Sequence, residues 1–326
     1  MNDDTLLEIK DLRVSYKIFE GRLRVLNGLQ MKVARGERVG LVGETGCGKT
    51  TAMKAVLRIL PSPAGVVEGG RILFNGSDVL AMRPPELQAL RSRGIAMIFQ
   101  DPTAALNPVF TVGEQMTEVI RYALPPEQRR DHVLRDLARK ALKDVYLPDQ
   151  DRILGNYPMQ LSGGMRQRIC ISMAITTPRD LLIADEPGTS LDVTIQDQVL
   201  RLLRELVEKK GTSIILITHS LGVAREMTDR VYVMYGGAIV EVAKTADLFR
   251  EPLHPYTHGL FASVPKISGG GVSGGIPGSI PDYLRPPSGC RFHPRCGRAT
   301  EECRQSAPGF YDQGDGHCVA CFLYRR

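Results

Sequence analysis

The octet Gly43-Glu44-Thr45-Gly46-Cys47-Gly48-Lys49-Thr50 follows the strand-like run RVGLV (38–42) and precedes AMKAVLRIL (52–60), which has helical spacing and is stopped by Pro61 and Pro63. It fits G-x-x-x-x-G-K-[ST] in the strand, loop, helix context that gives this pattern meaning. Glycines let successive backbone N–H groups converge on phosphate oxygens, and the helix behind them adds its positive N-terminal end. Lys49 is placed to neutralise β/γ-phosphate charge and Thr50 to offer a hydroxyl to Mg²⁺, with Thr51 counted in the same cradle. Cys47, a small residue inside the loop, reads as packing.

Two short continuous apolar runs, LLIAD (181–185) and SIILIT (213–218), have the form of strands buried on both faces, with a helical stretch between them that closes at Gly211. Strand, helix, strand predicts a parallel α/β core. The first run ends on Asp185, suited to the Mg²⁺ shell, and Glu186, suited to polarising an attacking water. Residues 6–42 read as an antiparallel β section, 71–79 and 94–99 as further strands, and VYVMYGGAIVEV (231–242) as a hairpin. Over 127–147, Val133, Leu134, Leu137, Ala138, Ala141, Leu142 and Val145 share one helical face, so a helical subdomain is expected over about 101–170.

At 326 residues the chain has room for about two units of roughly 150 residues. Hydrophobic residues at 43% and charged residues at 24% exclude a disordered chain, and no apolar run reaches the roughly 18 residues a membrane span needs. The N-terminus, MNDDTLLEIK, has neither a basic nor an apolar leader, so a cytosolic chain is expected. The net charge of +6 is spread along the chain, which gives no argument for nucleic acid. Residues 268–289 hold 15 Gly, Pro and Ser in 22 and read as a linker. Beyond it, Cys290, Cys296, Cys303, Cys318 and Cys321 crowd into the last 37 residues, against only Cys47 and Cys170 before. An odd total of seven in a cytosolic chain points away from disulfides and towards a metal or metal–sulfur site. Four thiolates hold either Zn²⁺ or an iron–sulfur cluster, and spacing alone does not separate them. His293 and His317 read as solvated or capping residues.

LSGGMRQR (161–168) sets Ser162, Gly163 and Gly164 at the start of a further helical run, where amides and helix dipole suit a second anion. With the loop at 43–50 and the pair 185–186, the chain resembles the ATP-binding-cassette (ABC) family over about residues 6 to 260. The resemblance implies a P-loop ABC ATPase core, α/β with an antiparallel β subdomain and a helical subdomain. It implies that Tyr16 stacks on adenine, that Gln100 touches Mg²⁺ and water, that Asp192 communicates between two sites, and that His219 contacts the γ-phosphate. It further implies that Ser162-Gly163-Gly164 reach the γ-phosphate bound by a second subunit.

MIFQDPTAALNPVFTVGEQ (97–115), LHPYTHGL (253–260) and the tail beginning GCRFHPRC look like the ATP-binding subunits of dipeptide/oligopeptide importers, a group that also serves nickel and some oligosaccharides. The implied organisation is an ATPase domain over 1–260, a linker over 261–289 and a small irregular Cys-rich module over 290–326. In that group the module resembles a [4Fe–4S]-binding region, matched here by Cys290, Cys296, Cys303 and Cys321, with Zn²⁺ as the alternative and Cys318 as a possible substitute. The implied partners are a second ATPase subunit, a paralogue or a second copy, and two membrane-spanning permease subunits fed by an extracytoplasmic binding protein. The implied place is the cytoplasmic face of the membrane. A competing class, a soluble ABC ATPase acting on nucleic acid or ribosomes, is disfavoured because residues 101–160 are too short for a long coiled-coil insertion and lack heptads.

Overall fold

The computed structural model describes residues 4–189, 191–263 and 275–325. These fall into two compact units, Met1–Ala81 with Leu216–Arg326, and Met82–Ile215. Part of the expected linker, residues 264–274, lies outside the described residues.

The first unit begins with β1 (Thr5–Ile18), β2 (Gly21–Ala34), β3 (Arg38–Val42), α1 (Lys49–Val56), β4 (Gly65–Phe74) and β5 (Ser77–Asp78). One antiparallel sheet has the order β2-β1-β4-β5. Leu7, Ile9, Leu12 and Val14 of β1 are all buried, although the alternation slips by one residue after Ile9. The slip is a bulge: pairing shifts between Ile9 and Leu12, and Asp11 takes φ 47° there. One extra residue returns the next apolar pair to the core face.

The second unit carries α2 (Pro84–Ala89), β6 (Ile95–Ile98), α3 (Pro102–Ala105), α4 (Val112–Ala123), α5 (Asp131–Asp144), α6 (Gln150–Gly155), α7 (Gly163–Ile175), β7 (Leu181–Asp185) and α8 (Val193–Lys210), and β8 (Ser213–Thr218) leads the chain out of it. Every residue of β7 and β8 is buried, as their continuous apolar runs predict, and β6 pairs with β7 in parallel. Along α5 the buried residues are Leu134, Ala138, Ala141 and Leu142, the centre of the expected stripe. The start of α4 is fixed by a reciprocal cap: Glu114 N–H donates to Thr111 Oγ1 at 3.2 Å and Thr111 N–H to Glu114 Oε2 at 2.7 Å.

Back in the first unit come α9 (Leu221–Met227), β9 (Arg230–Tyr235), β10 (Ala238–Lys244), α10 (Thr245–Arg250), α11 (Pro255–Ala262), α12 (Glu301–Gln305), β11 (Tyr311–Asp312) and β12 (Cys318–Val319). β9 pairs in parallel with β3 and forms the predicted hairpin with β10. The cysteine-bearing tail is less irregular than its composition suggests. Its β12 pairs with β10, Val319 opposite Glu241, and β11 adds a further strand. Phe292, 3% exposed, packs with Tyr235 and Tyr256 at ring distances of 5.0 and 5.5 Å. Burying one phenyl ring contributes about 1.5–3 kcal/mol, which fastens the tail to this core. A two-residue strand has no periodicity to reveal it in a sequence.

Candidate functional site

In the first unit the loop 43–50 joins β3 to α1, and close packing explains two of its glycines, Gly43 and Gly48. A Cβ on Gly43 would sit 2.2 Å from the Met234 carbonyl oxygen; on Gly48, at φ 108°, it would sit 2.9 Å from Leu26 Cδ2. Lys49, 5% exposed, donates from Nζ to the carbonyl oxygens of Gly43 at 2.7 Å and Glu44 at 3.1 Å. Its ammonium is thus held inside the loop. The Tyr16 hydroxyl lies 3.3 Å from Thr51 Oγ1, which brings the predicted adenine-stacking residue to the first turn of α1. Cys47 is fully buried, and burial raises its thiol above the ordinary range, in keeping with packing. His219 is exposed and precedes Ser220, the cap of α9.

The second unit brings Gln100 and Glu186 together. Glu186 lies just past the carboxyl end of β7, 8% exposed, and its Oε2 accepts from Gln100 Nε2 and from Thr189 Oγ1, each at 3.1 Å. Its backbone adopts φ 46°, a left-handed conformation that costs a non-glycine residue about 1–3 kcal/mol and persists where the surroundings over-determine it. Asp185 beside it is 2% exposed. Thr189 was missed in the sequence because a threonine three residues past an acidic pair carries no signal of its own. Ser162 and Gly163 are exposed at the start of α7, where Ser162 Oγ accepts from Met165 N–H at 3.3 Å. Asp192 is also exposed and caps α8, accepting from Ile195 N–H at 3.0 Å. Both residues therefore have a local capping job besides any expected role.

Three residues outside the motif hold the phosphate loop. Tyr256 Oη accepts from Glu44 N–H at 2.9 Å, Tyr283 Oη donates to the Gly46 carbonyl at 2.9 Å, and the Arg295 guanidinium pairs with the Glu44 carboxylate at 2.8 Å. Tyr256 belongs to LHPYTHGL, so that stretch has a structural purpose: His254 caps α11, with Nδ1 accepting from Tyr256 N–H at 3.0 Å, and this sets the tyrosine against the loop. His254 is 1% exposed, and burial pushes its pKa down to about 4. His317 is neither solvated nor capping. Its Nε2 lies 2.7 Å from Oε1 of the fully buried Glu241, which also accepts from the backbone N–H groups of Leu253 and His254.

Cys290, Cys296, Cys303 and Cys321 line one cavity of about 150 Å³, with Phe292 and His293 among its other walls. By the same measure a single water needs about 10–15 Å³, so the space is several times that of one water. Burial pushes the Cys290 thiol up to about 11, and Cys303, Cys321 and Cys296 act on it in the same direction. Cys318 is in β12 and does not line this cavity. Among the described residues, no group of three or more His, Cys, Asp or Glu side chains is set to hold a single metal ion.

The family profile described as "ABC transporter" matches residues 26–189, and that described as "Oligopeptide/dipeptide transporter, C-terminal region" matches residues 240–303. A probable peptide ABC transporter ATP-binding protein of Sinorhizobium fredii is 43% identical over 98% of this chain and 95% of its own. The dipeptide transport ATP-binding protein DppD of Bacillus subtilis is 41% identical, again over 98% of this chain and 95% of its own. Among solved structures, a dimeric ATP-binding cassette bound to ADP and Pi superposes with a TM-score of 0.63 at 24% identity, over 74% of this chain and 99% of that one, a likeness of fold.

Proposed function

The chain belongs to the ABC transporter family, and from that premise we propose that it is the ATP-hydrolysing subunit that energises a peptide importer. It hydrolyses ATP to ADP and phosphate, coupled to transport. The observation that carries the chemistry is Glu186, a nearly buried carboxylate in a strained backbone conformation with the Gln100 amide on one oxygen. In this reading Gly43–Thr51 cradle the phosphates, with Lys49 leaving the loop carbonyls for the β/γ oxygens, and Tyr16 stacks on the base. Asp185, Thr50 and Gln100 would hold Mg²⁺, which would supply positive charge to offset that of the phosphates. Glu186 orients and deprotonates the attacking water, and His219 contacts the γ-phosphate.

Ser162-Gly163-Gly164 and Asp192 serve a second ATPase subunit, since they are exposed or nearly so and present an amide cradle that one nucleotide in its own loop does not need. Two membrane-spanning permease subunits complete the transporter at the cytoplasmic face of the membrane, and an extracytoplasmic protein delivers the peptide. Among the described residues, no helix is long and apolar enough to cross a membrane. The tail is proposed to hold a [4Fe–4S] cluster on Cys290, Cys296, Cys303 and Cys321. Support comes from their gathering around one cavity, and from the Cys290 thiol, whose ionisation is suppressed first by burial and then by the neighbouring cysteines. Such a cluster supplies either a brace or a one-electron centre. Iron and acid-labile sulfide at about four each per chain on anaerobically purified protein support it, and one zinc without sulfide replaces it with a structural zinc site.

Glu186→Gln tests the chemistry. Removing a general base costs about 10²- to 10⁴-fold in rate, so hydrolysis should collapse while ATP binding survives and a nucleotide-dependent dimer accumulates in gel filtration. Hydrolysis at the wild-type rate would remove Glu186 from the mechanism.

A further inference from the structure

Arg295 stands in the tail one residue before Cys296, yet its guanidinium ends on the phosphate loop. Nη1 lies 2.8 Å from Glu44 Oε2 and Nη2 3.1 Å from Oε1, a two-pronged geometry that fixes a carboxylate in both position and plane. The guanidinium is itself fixed by residues of the linker and of β9. Nε donates to the Pro277 carbonyl at 2.8 Å, Nη2 also donates to Ile276 at 3.1 Å, and the Tyr235 ring centre is 5.7 Å from its carbon. Only 5% of the side chain is exposed. A charge this deeply withdrawn from water is stable only while its partner stays in place, so the pair acts as a single rigid strut.

Glu44 is the second residue of the cradle. Its N–H is held by Tyr256 and its carbonyl by Lys49, while two residues on Tyr283 holds the carbonyl of Gly46. Arg295 of the tail and Tyr283 of the preceding linker therefore hold loop groups on two of the cradle's eight positions.

We propose that Arg295 is a positioning residue for nucleotide binding: by clamping Glu44 it keeps the loop 43–50 in the conformation that receives phosphates, which makes the tail a working part of the nucleotide site. The proposal rests on the reading that this loop binds ATP. A glycine-rich loop loses conformational freedom when it closes on a ligand, and a strut that orders it beforehand removes that cost from binding. The clamp does not touch the reacting atoms. Its loss should raise KM for ATP and leave kcat nearly unchanged.

The test uses the full-length chain, a fluorescent ATP analogue with Mg²⁺, and steady-state hydrolysis. Arg295→Met should weaken analogue binding and raise KM about 5- to 30-fold, within the span of ordinary coupling between sites, with kcat within about twofold. Arg295→Lys, which keeps the charge but offers one prong, should recover part of the loss. Glu44→Gln should resemble Arg295→Met, and the double variant should be no weaker than either single one. Arg304→Met, at a tail arginine whose side chain is 58% exposed, should bind as wild type. Wild-type affinity in Arg295→Met, or a double variant whose loss is the product of the two single losses, overturns the proposal. If Arg295→Met does not fold, Glu44→Gln decides alone, because it keeps the side-chain shape and wild-type affinity there is equally fatal. Lys49→Ala distinguishes this from failure of the underlying reading: a wild-type chain that does not bind the analogue, or a Lys49→Ala chain that binds it unchanged, removes the ATP site and the proposal with it.

Discussion

Two helices of this chain, α1 entered through Gly48 and α7 opening on Gly163, are finished differently. At α1 the loop is closed on itself: Lys49 is 5% exposed with its ammonium on two loop carbonyls, and Tyr256, Tyr283 and Arg295 hold the backbone and the Glu44 carboxylate. At α7 the cradle is open, with Ser162 and Gly163 exposed and held by a serine cap on Met165 N–H at 3.3 Å. Both present amides along a helix axis, so both suit an anion. The difference lies in who supplies the rest of the site. The first is preorganised by its own chain, as suits a cradle that must bind before anything else happens. The second is open to solvent, in keeping with the role proposed for it at a partner's nucleotide.

The sharpest way to break this contrast is to damage each cradle and read binding and turnover separately. Lys49→Ala should weaken binding of a fluorescent ATP analogue to the single chain by well over about tenfold, because a charge-assisted phosphate contact contributes more than about 1.5 kcal/mol. Gly164→Asp places a carboxylate in the other cradle, and should leave single-chain binding within about twofold while lowering hydrolysis by about 10²-fold or more. Equal losses of binding in the two variants would show that the cradles are not divided between own and partner nucleotide.

Stability should divide in the same way. Gly43→Ala forces a Cβ to within 2.2 Å of the Met234 carbonyl, whereas the nearest atom to a Cβ on Gly163 is Leu191 Cδ2 at 3.6 Å. The first should destabilise by about 3 kcal/mol or more and the second by less than about 1 kcal/mol in chemical denaturation. Comparable losses would contradict the picture of one packed and one open cradle.

How far these features are legible in the sequence follows from their range. The octet 43–50, the strands Leu181–Asp185 and Ser213–Thr218 and the helix over Asp131–Asp144 are local patterns of glycine, apolar run and period, and each is found where expected. The pairing of Gln100 with Glu186 joins residues 86 apart, and only the family resemblance put both in one site. Arg295 on Glu44 spans 251 residues and Tyr283 on Gly46 spans 237, and no spacing rule reaches that far. The tail's strand Cys318–Val319 is two residues long, too short for alternation to register, which is why composition alone suggested an irregular module. His317 was misjudged for a related reason: its partner, Glu241, looks like an ordinary strand-face carboxylate until the fold buries it.

Acid should act on one cradle through its brace. His254 caps the helix that carries Tyr256, and burial lowers its pKa from 6.5 to about 4, with Glu241 opposing that shift and His258 adding to it. The folded chain therefore resists a proton that the unfolded chain accepts. Stability contributed by the neutral ring is complete above the unfolded pKa and is lost as pH falls from about 6.5 towards 4, reaching about 2 kcal/mol by pH 5. Asn at this position can still cap and does not titrate, so His254→Asn should flatten this part of the pH dependence of the unfolding midpoint between pH 7 and 5. An unchanged slope would mean that other groups dominate in this range.

The smallest expected effect addresses the open cradle itself. Ser162 has two readings, a helix cap and a donor to a partner's phosphate, and the hydrogen bond from Met165 N–H at 3.3 Å speaks only for the first. Removing an N-cap hydroxyl costs about 1 kcal/mol, so Ser162→Ala should lower stability by about that much in the isolated chain. Gly at the same position restores most of a cap's stability because its backbone reaches the cap conformation easily and water satisfies the freed amides. The two substitutions thus separate the roles. If Ser162→Gly regains stability but hydrolysis stays as low as in Ser162→Ala, the hydroxyl works on nucleotide as well as on its own helix. If hydrolysis returns together with stability, Ser162 is a cap, and the amides of Gly163 and Gly164 carry the open cradle without it.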